Sequence, residues 1–137
     1  VNPANSHMKH AGGLARAISV AGGDSVRLES EEWIAQNGTL DVGPVAQTTA
    51  GRLPCKILFH VVGPMWKNGN SGEDEKLALV VNNCLKEADK IGIESIALPA
   101  ISTGLYQYPV DKCASVMLRS TKKYLQLHPK DSSLRII

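Results

Sequence analysis

NPANSHMKHAGG, residues 2–13, decides how the rest of the chain is read. It holds two Asn, two His, one Lys and two adjacent Gly, and runs straight into the amphipathic segment LARAISVAGG. A strand that empties into a Gly-containing loop opening a helix gathers unpaired backbone N–H groups and the positive end of a helix dipole at one place, which suits an anionic ligand. Asn and Gly also populate ordinary turns with no ligand involved. The loop therefore needs a second element before it counts as a site.

Composition narrows the class. A chain of 137 residues with 43% hydrophobic and 20% charged residues is the size of one globular domain with a single core. The formal charge of +2 does not by itself imply a nucleic-acid or membrane surface, so any anion recognition must be local. Cys55, Cys84 and Cys113 form no CxxC pair and no cluster with His, which indicates neither a disulfide framework nor a metal site. Cys84 and Cys113 fall on apolar faces and read as small core residues. Cys55, just before a strand, has no explanation. Without a secretory signal or a long apolar run, the expected compartment is cytoplasmic or nuclear.

Taken in order, Leu14, Ala17, Ile18 and Ala21 share a helical face closed by Gly22-Gly23, and a second helix is expected from an Asp24 N-cap to Asn37-Gly38. GPVAQTTA (43–50) is β-prone, and KILFHVVG (56–63) reads as a strand covered on both faces, with His60 a hydrogen-bonded core residue. A polar loop carrying Trp66, expected to pack on the sheet edge, leads to the clearest helix, Glu73 to Ile91, with Leu77, Val80, Val81, Cys84, Leu85, Ala88 and Ile91 at helical spacing. ESIALPAI (94–101) is expected to be a strand. From Pro109 to about Leu127 a further helix is expected to bury Val110, Cys113, Ala114, Met117, Leu118, Tyr124 and Leu125, with His128-Pro129 after its end and a last strand at Leu134 to Ile137. Alternating strands and helices imply an α/β fold with a mostly parallel sheet, helices on both faces, and ligands outside the strand exits.

The second element is STGLYQYP (102–109), again a strand exit, a Gly and a helix start. Two helix N-termini aimed at one crevice can share a diphosphate, with Gly12, Gly13 and Gly104 letting backbone N–H groups approach closely. Neither a P-loop Lys-Ser/Thr nor GxGxxG follows, which disfavours an NTPase or a dinucleotide oxidoreductase. Tyr106 can stack on a sugar or base, or simply pack locally.

NPAN with KHAGGLARAI, the strand HVVGP, and PAISTGLYQYP together resemble the macrodomain, the ADP-ribose-binding family, and more narrowly the first tandem macrodomain of the B-aggressive-lymphoma type of mono-ADP-ribosyltransferase proteins. The resemblance implies a three-layer α/β/α fold on a mixed sheet. It makes residues 1–137 one domain lacking its N-terminal strands, since Val1 reads as the last residue of a strand. It also implies that Asn2 holds the first loop, that Asn5 bonds the distal ribose, and that His10, Ala11, Gly12, Gly13 and Leu14 wrap the distal ribose and diphosphate. Ser102, Thr103, Gly104, Leu105 and Tyr106 match the diphosphate loop, Tyr106 lying against the distal ribose. The acidic adenine partner would lie upstream of Val1.

Four departures bear on chemistry. Ala11 and Gln107 stand where relatives often have Gly, and Ala15 where one hydrolytic class has Asp; the paired Glu of glycohydrolase-type relatives is absent. Asn5 and His10 are then the candidate catalytic residues, with the bound diphosphate as the other group able to direct a water. The leading expectation is a module recognising free or protein-linked mono-ADP-ribose, with no cofactor. The alternative is a hydrolase releasing ADP-ribose from acidic residues. The expected context is a monomeric domain in a larger protein of NAD metabolism that can also carry a transferase domain. Nucleic-acid binding through Lys67, Lys122, Lys123, Lys130 and Arg135 is a third reading, but scattered Lys more often form a solvated face, and no membrane partner is expected.

Overall fold

The run KILFHVVG supplies the middle strand of the sheet. In the computed structural model, which describes residues 1–128 and 132–137, the elements run β1 (Asn2–Pro3), α1 (Gly13–Gly22), α2 (Asp24–Asn37), β2 (Val45–Thr48), β3 (Leu58–Val61), α3 (Glu73–Lys90) and α4 (Val110–Leu127). The strand order is β1-β3-β2. β1 pairs with β3 in parallel, Asn2 opposite His60, whereas β2 pairs with β3 antiparallel, Ala46 opposite His60. The sheet is therefore mixed rather than mostly parallel: β2 and β3 follow one another closely enough to turn back directly, and only β1 arrives by a helical crossover.

Alternation along β3 sets the layers, because successive strand side chains point to opposite faces. Phe59 and Val61 pack with Leu77, Val81 and Leu85 of α3 and with Cys113, Val116 and Tyr124 of α4. Val62, just past the strand, joins Ala46, Ala4, Met8 and Leu40 on the opposite face, against Trp33 and Ile34 of α2. Helices thus cover the sheet on both sides, the α/β/α arrangement expected.

Elements with strong periodicity lie where the spacing predicts, with differences at their edges. All the expected apolar residues of α3 are buried except Ile91, which follows its last turn and is exposed. α4 buries Cys113, Val116, Ser120 and Tyr124; Val110, Leu118 and Leu125 are exposed, so its inner face is rotated from the one expected. α1 packs through Ala15 and Gly22, leaving Leu14 and Val20 outside. Asp24 is the first residue of α2, after a Gly23 cap with φ of 87°. Cys84 and Cys113 are buried and Cys55 is exposed.

The two other expected strands are reduced to one bridge, Ser95 opposite Ile136. Ile96 N–H donates to Ile136 (3.0 Å) and Arg135 N–H to Glu94 (2.7 Å), and Pro99 has no N–H with which to carry a ladder toward the exit. Pro129 and Lys130 lie outside the described residues.

The loop before α3 is organised from within by Glu73. Its buried carboxylate accepts N–H groups from Lys67, Asn68, Gly69 and Ser71 at 2.7–3.2 Å. Burial opposes its ionisation, yet these donors hold its pKa down at about 2. Trp66 packs edge-on against Tyr108, ring centroids 4.9 Å apart, beneath the Lys112 ammonium, and against the core cluster that includes Val61 and Leu77.

Leu77 is fully buried between the sheet and α4. Leu77→Ala is expected to destabilise the domain by about 2–5 kcal/mol through lost transfer energy and the cavity left behind, measured as the shift of a urea unfolding midpoint.

Candidate functional site

Two loops, one following β1 and the other following residues 94–98, enclose a cleft of about 440 Å³. The first jaw follows β1. Pro3, Ala4, Asn5 and Lys9 lead to Ala11–Ala15, where α1 begins. The second jaw contributes Pro99, Ala100 and Thr103–Tyr106, and Gly63, just past β3, also forms part of the wall.

The start of α1 is electrically open. Its cap, Gly12, makes no side-chain hydrogen bond, no acidic residue lies in its first turn, and its first described intrahelical bond is Arg16 N–H to Gly12 (3.1 Å). The early N–H groups and the positive helix end therefore face the cleft without a protein anion to neutralise them. Among the described residues lining the cleft, Lys9 is the one charged group and no carboxylate is present. A Cβ at Gly12, Gly13 or Gly104 would meet no other atom within 4 Å, so the backbone at all three is open to an incoming group.

The second jaw is held in an unusual backbone path. Ser102 (φ 67°) and Gln107 (φ 55°) both occupy the left-handed region, which L side chains adopt only when their surroundings fix it. Fixing is supplied by Tyr108 N–H to Ser102 (2.9 Å), Gln107 N–H to Gly104 (2.9 Å) and Trp66 N–H to Tyr106 (2.9 Å). Behind it, the Tyr108 hydroxyl donates to Asp74. Gly63 lies so close that a Cβ there would stand 2.1 Å from Ser102 Oγ and 2.5 Å from Ile101 Cγ2.

Of the residues singled out in the sequence, Asn5, Ala11, Gly12, Gly13, Leu14, Thr103, Gly104, Leu105 and Tyr106 line the cleft. Asn2, His10 and Ser102 do not. Asn5 lines it with a carboxamide engaged by its own loop: Oδ1 accepts from His7 N–H (3.1 Å) and Lys9 N–H (3.0 Å), and Nδ2 donates to the Lys9 carbonyl (2.6 Å). Ser102 supports the second jaw with its carbonyl, and its buried Oγ has no partner.

His10 is turned away, into a separate cavity of about 430 Å³ between the loop and α2. Its Nδ1 faces Asn2 Nδ2 at 3.3 Å and its Nε2 faces Ser30 Oγ at 3.0 Å. Asn2 Nδ2 also meets His60 Nδ1 at 2.9 Å, and His60 Nε2 meets Thr48 Oγ1 at 2.8 Å. Burial lowers the pKa of His10, and burial together with the neighbouring His10 pushes His60 down to about 3, so both rings are neutral at ordinary pH. A general base at His10 aimed into the cleft is not what this arrangement provides.

The expected pair of helix N-termini is also corrected. α1 opens on the cleft, whereas the start of α4, with Asp111 in its first turn, borders a different groove with Asp74 and Arg119. Five residues separate Gly104 from Val110, and they turn the chain away before the helix begins. Lys9, Gly63, Pro99 and Ala100 also line the cleft; they fall inside the quoted motifs without a role of their own there. Gly63 carried a signal, a Gly at the exit of an apolar strand, and Pro99-Ala100 marked another exit, but neither says which side faces a ligand.

The Macro domain family signature matches residues 1–117. An uncharacterized protein of Sulfolobus acidocaldarius is 46% identical over 124 residues, covering 90% of this chain and 67% of its own length. Protein mono-ADP-ribosyltransferase PARP9 of Mus musculus is 39% identical over 140 residues, covering 100% of this chain, which spans 16% of that protein. Among solved structures, a variant of the Oceanobacillus iheyensis macrodomain with ADPR has a TM-score of 0.89 at 29% identity, covering 98% of this chain and 74% of that one.

Gly63→Ala forces a methyl group into the contact with Ser102 and Ile101. It is expected to destabilise the fold by about 1–3 kcal/mol and displace the second jaw, read together as a lower thermal midpoint and shifted amide resonances at residues 102–106.

Proposed function

The chain belongs to the macrodomain family, and on that premise we propose that its cleft binds ADP-ribose, free or as a single unit carried on a protein. The observation that carries this reading is the open start of α1 facing the Gly104 loop across a cleft without carboxylates. Backbone N–H groups on both sides of such a cleft favour a diphosphate, and Lys9 adds a cation at its rim. Asn5 and Tyr106 border the same cleft and are the groups assigned to the distal ribose, Tyr106 by its ring and Asn5 by the one Nδ2 hydrogen that its own loop leaves unused. The relative from Oceanobacillus iheyensis, seen with ADPR, supports the choice of ligand.

Calorimetry with ADP-ribose tests it, inorganic phosphate and AMP serving as comparisons. Gly104→Glu places a carboxylate where the diphosphate would sit, and its Cβ meets no other atom within 4 Å in the free protein. Its expected effect is loss of ADP-ribose binding by at least about a hundredfold, the size of an unfavourable charge contact of a few kcal/mol. Unchanged affinity would rule the two-jaw site out.

A second reading, removal of ADP-ribose from acidic residues, draws on Asn5 standing in the cleft wall. In that reaction water adds to the anomeric carbon, the bond to the acyl oxygen breaks, and the products are ADP-ribose, a free carboxylate and one proton. With no carboxylate lining the cleft and His10 bonded elsewhere, the diphosphate of the substrate is left as the proton acceptor. Asn5→Ala is then expected to slow release of ADP-ribose from a glutamate-modified protein by about tenfold or more. If the wild-type domain releases none above the uncatalysed rate, binding is its whole activity.

A further inference from the structure

We propose that His10 is a positioning residue, acting through Asn2 to hold the first jaw only while its imidazole is neutral, so that ligand binding weakens as His10 takes up a proton. The inference rests on the ADP-ribose reading for its ligand, and on the hydrogen bonds beneath the jaw for its mechanism.

Five side chains from four elements and the loop form one chain of bonds: Ser30, His10, Asn2, His60 and Thr48. The two hydrogens of Asn2 Nδ2 point to the Nδ1 atoms of His10 and His60, so neither Nδ1 carries a proton. Each neutral ring then bears its hydrogen on Nε2, donated to Ser30 Oγ and Thr48 Oγ1. Those hydroxyls pass their own hydrogens to the carbonyls of Val26 (2.7 Å) and Thr49 (2.9 Å). Reversing the Asn2 amide breaks this order. Both Nδ1 atoms would need protons, and each Nε2 would need a donor that Ser30 and Thr48 have already given to backbone.

In this order of bonds another proton on His10 meets no acceptor: Asn2 turns its amino group to Nδ1, while Asn2 Oδ1 is buried without a partner of its own among the described residues. On His10 Nδ1 that proton would face the Asn2 amino group, donor against donor, and put a charge against the stacked His60 ring, 5.2 Å away. His10 is half-buried and reached from its own cavity. The charged and titratable groups facing it there are His7 and Lys9 of its loop and Arg27 and Glu31 of α2, the last two an ion pair at 3.0 Å; β3 contributes His60. None leaves a free carboxylate to stabilise an imidazolium. Between His10 and the first turn of α1 lie only Ala11 and Gly12, both exposed, and Gly12 and Gly13 have no neighbour against which a Cβ would pack. Releasing His10 therefore frees the stretch that forms the jaw.

The test follows the ligand-free protein by NMR from about pH 8 to about pH 5, alongside ADP-ribose calorimetry. The expected result has three parts. The His10 ring carries its hydrogen on Nε2 at the upper end. The amides of Ala11, Gly12 and Gly13 shift with the midpoint of His10. The dissociation constant rises below that midpoint by up to about tenfold per pH unit, the limit for uptake of one proton. His10→Gln, which cannot titrate, is expected to flatten the profile, whereas His7→Gln keeps it. Jaw amides that ignore the His10 midpoint, or a His10→Gln profile matching the wild type, would overturn the proposal. Should the protein bind no ADP-ribose at any pH, the functional reading fails while the amide titration still decides the positioning role.

Discussion

One carboxamide joins the layers of this domain. Asn2 sits where the parallel strand β1 meets β3, fully buried, and divides its two hydrogens between imidazoles on either side. Through His60 and Thr48 it reaches β2, and through His10 and Ser30 it reaches α2. Its Oδ1 is buried without a partner among the described residues, a cost that the bonds made by Nδ2 offset, and those bonds favour one arrangement of the strands and helix they touch. The cleft inherits that arrangement, because the jaw follows directly on Asn2, beginning at Pro3 and Ala4.

Both loops hold a side-chain-bearing residue in the left-handed region, Met8 (φ 49°) in the first and Ser102 and Gln107 in the second, and they differ in what they present to the cleft. The first depends on a helix end with no cap of its own, so its donors remain available. The second depends on two side-chain-bearing residues kept in the left-handed region, each an unfavourable choice for an isolated peptide, stabilised by bonds to neighbouring backbone. A ligand entering between them meets donors already in position, which spares it much of the entropy of ordering a loop. Strain at Gln107 also accounts for what the sequence presents as a departure. A Gly there would adopt φ of 55° freely, and Gln does so because its flanking bonds leave no alternative.

Most of the fold was legible because its signals are local. Periodicity placed α3 and α4 to within a residue or two, and the unbroken apolar run placed β3. The segments at 94–101 and 134–137 were over-read, since β-prone residues describe what a strand tolerates and not whether a partner lies alongside. For the site, loop chemistry pointed to the right backbone. Side-chain direction was less accessible: Asn5 faces the cleft while His10, five residues on, faces α2, and a loop has no period from which to read that difference. The partner that turns His10 away, Ser30, is 20 residues distant and reads locally as an ordinary helix residue.

Glu73 has a consequence for how this protein can change. It gathers the preceding loop entirely through main-chain N–H groups, and that loop in turn offers Trp66 N–H to Tyr106 in the second jaw. The identities of residues 67 and 71 are therefore nearly free to drift, since what Glu73 holds there is backbone that every residue except proline supplies, whereas Asn68 also accepts the Asn70 N–H on its Oδ1 at 2.9 Å. Gly69 is not free, because a Cβ there would stand 2.8 Å from the Trp66 ring. A surface loop of variable appearance can thus keep a constant grip on the cleft, with the side chain that gathers most of its backbone lying outside the loop, at the start of the helix that follows.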